Sequence, residues 1–206
     1  MRVLVENAGK KFGKEWVFRN FDYEFVKGKK YAITGNNGSG KSTLLKCLSL
    51  CNPLNEGTVS HLGGDNEDLS EVSFRDIVWV GPYTEMIEEL TLKEFFDFYV
   101  NFKPLKLNYD SFIHKFGFEK IPDKRLSDFS SGMKQRLNLG LALNTKASII
   151  LLDEPTSNLD KENSIQYQSA LSEVYDDSII LISSNQPEEY ECCHAVIDMK
   201  AYKKFI

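Results

Sequence analysis

Residues 35–43 read Gly-Asn-Asn-Gly-Ser-Gly-Lys-Ser-Thr. Gly35, Gly40, Lys41 and Ser42 fill the pattern G-x-x-x-x-G-K-[ST]. Before it lies Tyr31-Ala32-Ile33, short, apolar and β-favouring. After it, Thr43 to Leu50 carries Leu44, Leu45, Leu48 and Leu50 and has no Gly or Pro. The loop therefore sits between an expected strand and an expected helix, the setting in which this pattern cradles phosphate. Glycines let the backbone turn tightly and present successive N–H groups to phosphate oxygens. The N-terminus of the following helix adds a field that favours anions. Lys41 can reach β- and γ-phosphates, and the Ser42 hydroxyl can ligate Mg²⁺. The competing reading is a flexible Gly/Asn-rich turn. At the usual glycine frequency of about 7%, a chance match in a chain this long falls below roughly one per cent. The expected ligand is a nucleoside triphosphate with Mg²⁺, held by Gly35, Asn36, Asn37, Gly38, Ser39, Gly40, Lys41, Ser42 and Thr43.

The chain has 206 residues, enough for one domain with a real core. Its net charge is −5 and it has no long basic run. Lys10-Lys11, Lys27 to Lys30 and Lys203-Lys204 read as solvated surface, so nucleic acid is not an expected partner. The longest apolar runs, Ile149 to Leu152 and Ile179 to Ile182, have strand length and cannot span a bilayer. The first eleven residues lack the apolar region of a signal peptide. The four cysteines, Cys47, Cys51, Cys192 and Cys193, have neither metal-ligand nor secreted-framework spacing. Cys47 and Cys51 read as packing around a helix end, and a reducing cytoplasm is the expected compartment.

The first thirty residues read as a β layer. Arg2 to Glu6 is a β-branched run, and Phe21, Tyr23 and Phe25 alternate with Asp22 and Glu24, the period of a half-exposed strand. Gly9, Gly13 and Gly28 read as turns. Residues 57–80 read similarly, ending in the buried-type run Ile77 to Val80. The middle reads as helical. Thr91 and Glu94 form a capping box, with Leu92, Phe95, Phe96 and Tyr99 on one face and Pro104 as the stop. A second helix is expected near Tyr109 to Phe116, ending at Gly117. These aromatics read as core of a helical subdomain. The last third alternates strands (149–152, 179–182, 195–199) with a helix whose face is Tyr167, Ala170, Leu171 and Val174. Fully apolar strands separated by helices point to a parallel sheet covered on both faces.

Residues 149–160, IILLDEPTSNLD, mark a second chemical site. A parallel sheet puts strand carboxyl ends at its ligand crevice, so Asp153 is expected beside the glycine loop, holding Mg²⁺ through its water shell. Glu154, one residue on, can take a proton from a water attacking near the γ-phosphate. The alternative is a helix-capping acidic pair with Pro155 starting a turn. Residues 129–143, FSSGMKQRLNLGLAL, read as a capped helix with Met133, Leu137 and Leu141 on one face. Its N-terminus could bind an anion, and the residues alone do not say which.

Taken together, GNNGSGKST, FSSGMKQR and IILLDEPTSNLD resemble, in order and separation and over essentially the whole chain, the ATP-binding cassette (ABC) ATPase family. The resemblance implies an α/β P-loop NTPase fold of the ABC type. Its parts would be a parallel core sheet, an antiparallel β layer and a helical subdomain at about residues 84–143 inserted in one domain, 1–206. It implies ATP and Mg²⁺ as cofactors, with Phe12 stacking on adenine, and Ser42 and Asp153 at the metal. Two copies, or the chain and a related subunit, would pair head to tail, with Ser130 and Gly132 of one capping the ATP of the other. Residues 157–160 would be the D-loop between them. It also implies a transporter subunit on the cytoplasmic face of a membrane, docked on an integral-membrane permease. Tyr83 to Glu89 would form a connecting loop.

Three departures from the family pattern stand out. Pro82 occupies the position of a usual glutamine that contacts the metal and the water. Asn185 follows Ser183-Ser184 where a histidine is usual. It can hydrogen-bond the γ-phosphate but cannot carry charge or relay a proton. Ser131 and Met133 replace the usual glycine and glutamine of the signature. The expected activity is hydrolysis of ATP, slowed by these departures, with Glu154 as base and Asn185 beside it. The alternatives are an ATP-binding switch that hydrolyses little, and a P-loop small-molecule kinase, which would not need FSSGMKQR or LLDEPTSNLD.

Overall fold

The structure is a computed structural model and describes residues 1–63, 76–82, 84–174 and 177–203. In chain order it runs β1 (Arg2–Phe12), β2 (Glu15–Val26), β3 (Lys30–Thr34), α1 (Lys41–Leu48), β4 (Glu56–Leu62) and β5 (Ile77–Val80). Then come α2 (Leu92–Phe102), α3 (Tyr109–Lys115), α4 (Ser131–Asn144), β6 (Ile149–Asp153), α5 (Lys161–Ser172), β7 (Ile179–Ser183), α6 (Pro187–Tyr190) and β8 (Ala195–Asp198). Short 3-10 turns cover Leu126–Asp128 and Met199–Tyr202.

These strands make two sheets. One is antiparallel, in the order β2-β1-β4; the other has five strands, all parallel, in the order β5-β6-β7-β3-β8. The apolar runs explain the layering. Ile149, Leu151, Ile179 and Leu181 join Phe18, Phe21, Phe25, Leu44 and Leu45 in a core between the two sheets and α1. Their alternates, Ile150, Leu152, Ile180 and Ile182, join Phe96, Phe112, Leu137 and Leu171 in a core on the helical side. Both faces of β6 and β7 are thus covered, which is why these strands show no polar alternation.

Local signals set the helix ends. Thr91 and Glu94 close a capping box on α2, and Lys103 takes the extended conformation that precedes proline. Gly117 ends α3 at φ +69°.

Several expectations shift. Gly9 lies inside β1 rather than in a turn, at a stretch of register shifts. Of residues 57–80, β4 belongs to the antiparallel layer, but Ile77–Val80 is the edge strand of the parallel sheet; residues 64–75 lie outside the described residues. The helix expected from Thr43 to Leu50 starts at Lys41 and stops at Leu48. The last strand ends at Asp198, with Met199 opening a 3-10 turn. Lys10 is buried, not solvated, and its ammonium donates to the Pro53 carbonyl at 2.6 Å. Cys47 packs in the core, where burial pushes its thiol up to about 11, whereas Cys51 is exposed.

Candidate nucleotide site

The parallel register lines up the strand ends. Asp153 pairs with Ser183, Ser183 with Ile33, and Asp198 with Thr34. With neighbouring strands about 4.8 Å apart, the segments after β3, β6, β7 and β8 leave from one edge. That edge is where open α/β sheets hold ligands.

The segment after β3 is the glycine loop. Gly35, Gly38 and Gly40 have φ of 138°, 75° and 99°, values that L side chains rarely adopt. At Gly40 a β-carbon would also lie 2.6 Å from Val17 Cγ1. Lys41 is buried, and its ammonium donates to the Gly35 carbonyl at 2.7 Å, closing the loop on itself. Ser39 Nα–H donates to the Asn36 carbonyl at 2.9 Å, while the buried Ser39 hydroxyl has no partner. α1 begins directly after Gly40 and has no acidic residue in its first turn, so its amino end keeps an uncompensated positive field. Ser42 is exposed and Thr43 half-buried. Beside the loop lies a cleft of about 700 Å³ lined by Gly35, Asn36, Asn37, Asn185, Tyr190 and Lys200 among others. Asn185 reaches the loop directly: its Oδ1 accepts from Gly35 N–H at 3.3 Å and its Nδ2 donates to Asn37 Oδ1 at 3.4 Å.

The segment after β6 brings the acids. Asp153 is buried, and its Oδ1 has no partner. Leaving a carboxylate oxygen dry and unpaired is costly, and a cation or its water shell would satisfy it. The donor types of Asp153 and Ser42 therefore fit Mg²⁺ on a phosphate chain, with Asp153 in register, across β7, with the strand that leads into the glycine loop. Glu154 is half-buried and takes φ +49°, a left-handed value, with its N–H donating to the Ser183 carbonyl at 2.8 Å. The helix-capping alternative for this pair does not hold, because Asp160 caps α5, accepting from Asn163 N–H at 2.9 Å.

Ser130 and Gly132 stand elsewhere. Ser130 caps α4, its hydroxyl accepting from Met133 N–H at 3.2 Å, and neither residue lines the cleft beside the loop. A β-carbon on Gly132 would lie 3.1 Å from the Asn158 carbonyl, so this corner abuts residues 157–160. Phe12 ends β1, is 55% exposed and has the Lys10 ammonium 5.2 Å from its ring centroid, so it is not a core aromatic. Pro82 is exposed beside a cleft lined by Thr84, Glu85, Glu88 and Lys134. Tyr83 lies outside the described residues.

Three contacts at the site had no signal in the sequence. The Lys203 ammonium donates to the Gly38 carbonyl at 2.9 Å, although Lys203-Lys204 reads as surface. Gln135 Nε2 donates to the Pro155 carbonyl at 2.7 Å. Glu189, on α6, is buried against Thr156.

Comparison with known proteins agrees with this geometry. The ABC transporter family model matches residues 18–157. The ABC transporter ATP-binding protein YybJ of Bacillus subtilis is 33% identical over 207 residues, covering 96% of this chain and 92% of that protein. Among solved structures, an ABC transporter ATP-binding protein from Pyrococcus furiosus superposes with a TM-score of 0.83 at 19% identity, covering 99% of this chain and 100% of that one. The ATP-binding cassette MJ0796, solved as a post-hydrolysis dimer with ADP and Pi, gives 0.77 at 20% identity, covering 95% of this chain and 93% of that one. The chain belongs to the ABC transporter family, as an ATP-binding subunit of the ABC ATPase fold.

Proposed function

We propose that the chain binds Mg-ATP at the carboxyl edge of its parallel sheet, hydrolyses it slowly, and powers a membrane permease by nucleotide-driven dimerisation. The observation that carries this reading is Asp153, a buried carboxylate with an unpartnered oxygen, in register with the strand that feeds the glycine loop. Gly35 to Thr43 hold the phosphates, and Lys41 exchanges its bond to the Gly35 carbonyl for a phosphate oxygen. Ser42 and Asp153 would hold the metal, which would neutralise charge on the phosphate chain. Phe12, exposed at the end of β1, stacks on adenine. Glu154 takes the proton of the attacking water. Asn185 holds the loop from the β7 side and offers an amide to the γ-phosphate, but it cannot relay a proton. Pro82 adds no donor or acceptor. Losing positioned groups of this kind slows turnover by about 10²–10⁴-fold.

A second chain, identical or related, supplies Ser130 and Gly132 head to tail; the dimer formed by the similar ATP-binding cassette MJ0796 supports a two-chain reading. Residues 1–206 form one domain in which the helical part, roughly 84–143, is inserted. Phe98 and Phe102 are exposed on α2 with ring centroids 5.0 Å apart, which supports docking of that part on a permease at the cytoplasmic face. Among the described residues no helix is long and apolar enough to cross a membrane.

The test is turnover by the purified chain, with Glu154→Gln as control, and light scattering with and without ATP. Turnover abolished by Glu154→Gln, with ATP-dependent dimers, is the expected result. No turnover in either protein, with dimers still forming, gives the switch reading instead. A strictly monomeric Glu154→Gln at saturating ATP refutes the sandwich.

A further inference from the structure

Two acidic side chains are buried among the described residues, Asp153 and Glu189. Asp153 is accounted for by the proposed metal site; Glu189 is not. Glu189 stands on α6, four residues after Asn185. Its Oε1 accepts from the Thr156 N–H at 2.9 Å and also from the Thr156 hydroxyl. Thr156 is two residues beyond Glu154. The short segment 154–156 is thus fastened to three elements. Glu154 N–H bonds the end of β7, the Pro155 carbonyl takes Gln135 of α4, and Thr156 takes Glu189 of α6. A non-glycine residue at φ +49° persists only where its surroundings over-determine it, and these three bonds do so. The corner is also dry. Thr156, Glu189 and Tyr167 are all buried, Glu189 Oε2 has no partner, and burial first, the Glu189 carboxylate second, push the Tyr167 phenol far up.

We propose that Glu189 is a positioning residue for ATP hydrolysis: through Thr156 it holds the backbone that aims the Glu154 carboxylate, and it ties that segment to the one bearing Asn185. The inference rests on the reading of Glu154 as the base. Glu189→Leu removes the acceptor and frees the segment, and a misplacement of about 1 Å lowers turnover by about a hundredfold. Glu189→Gln keeps an acceptor oxygen and preserves the bonds to Thr156.

The experiment measures ATP affinity, kcat and KM, and thermal melting for Glu189→Leu, Glu189→Gln and Thr156→Val, with Glu154→Gln alongside. The expected result is kcat lowered about a hundredfold in Glu189→Leu, ATP affinity unchanged, and rescue by Glu189→Gln. Unchanged kcat in Glu189→Leu overturns the inference, as does a parallel loss of ATP affinity. Should Glu189→Leu not fold, Thr156→Val, with Thr156→Ser as its rescue, is held to the same outcomes. Wild-type turnover in Glu154→Gln alone overturns the base reading and this inference with it. Loss in Glu154→Gln with none in the Glu189 or Thr156 variants overturns only this inference.

Discussion

Alanine at Gly40 and at Gly38 separates two costs that the glycine loop combines. Both residues have positive φ, 99° and 75°. An L residue in left-handed backbone costs roughly 1–2 kcal/mol. Restricting the unfolded chain returns about 0.4–1 kcal/mol at either position. Gly38→Ala meets nothing else, since no atom lies within 4 Å of its β-carbon. Gly40→Ala also places its β-carbon 2.6 Å from Val17 Cγ1. Carbon atoms prefer about 3.5–4.0 Å, so Val17 must move by about 1 Å. Valine is stiff at χ1, and Val17 Cγ1 has the Phe18 ring near it in the same corner, 3.7 Å from the same added carbon. Overpacking of this kind costs about 1–3 kcal/mol. Gly40→Ala should therefore be less stable than Gly38→Ala by about that amount, and the gap should shrink in a Val17→Ala background. Urea unfolding without nucleotide measures all four variants, with m unchanged as the check that only stability moved. Equal destabilisation by the two alanines refutes the steric argument. So does a gap that Val17→Ala leaves intact.

Asp153→Asn removes a buried charge whose Oδ1 has no partner. Without ligand it should melt no lower than the parent, since the unpartnered buried charge is gone, while the stabilisation that Mg-ATP confers on the parent is lost. Melting curves with and without Mg-ATP read both, and a variant that Mg-ATP still stabilises fully refutes the metal role. The cysteines should differ in reactivity with pH. The Cys193 thiol beside it, and the Lys30 charge, hold Cys192 below the usual thiol value, so it keeps its reactivity to lower pH than an ordinary cysteine. Buried Cys47, pushed up to about 11, stays a thiol. Iodoacetamide labelling followed by mass spectrometry should find Cys192 modified well before Cys47 in the folded chain, and the reverse order refutes the assignment.

What the sequence disclosed was local or strictly periodic. The glycine loop announces itself because three of its residues need backbone that only glycine takes easily. β6 and β7 announce themselves because both their faces are buried, which leaves uninterrupted apolar runs. The capping box on α2 lies within four residues. What stayed hidden depends on distant partners. Gly9 reads as a turn, but a β-carbon there would lie 3.0 Å from the Trp16 ring, so the glycine serves a close crossing inside a strand. Lys10 reads as surface because nothing local shows that the Pro53 carbonyl will receive its ammonium. Ile77–Val80 has the composition of either sheet, and only its pairing with Ile149–Leu152 assigns it. Glu189 sits in an ordinary acidic pair, and only the fold sets Thr156 against it.

Part of the unfavourable backbone of this chain lies at the site, although Asn7, Asn20 and Leu50 also take positive φ away from it. Gly35, Gly38, Gly40 and Glu154 all take positive φ, and all lie just past strand ends on the same edge of the parallel sheet. That edge is also where Asp153 Oδ1 and Ser39 Oγ are buried without partners. Such features survive only on a support that does not yield. The support is the pair of cores on either face of β6 and β7, and the side-chain clamps from Lys41, Lys203, Asn185, Gln135 and Glu189 are its local fastenings. A bound phosphate chain and its cation would offer partners to the unpaired oxygens and compete with the Gly35 carbonyl for Lys41. The free loop is then held shut by bonds that the ligand replaces, so ligand binding exchanges one set of contacts for another at modest net cost. The free site keeps unpaired buried oxygens that a ligand would partner, and that difference between the two states is what a subunit coupling nucleotide to dimerisation can use.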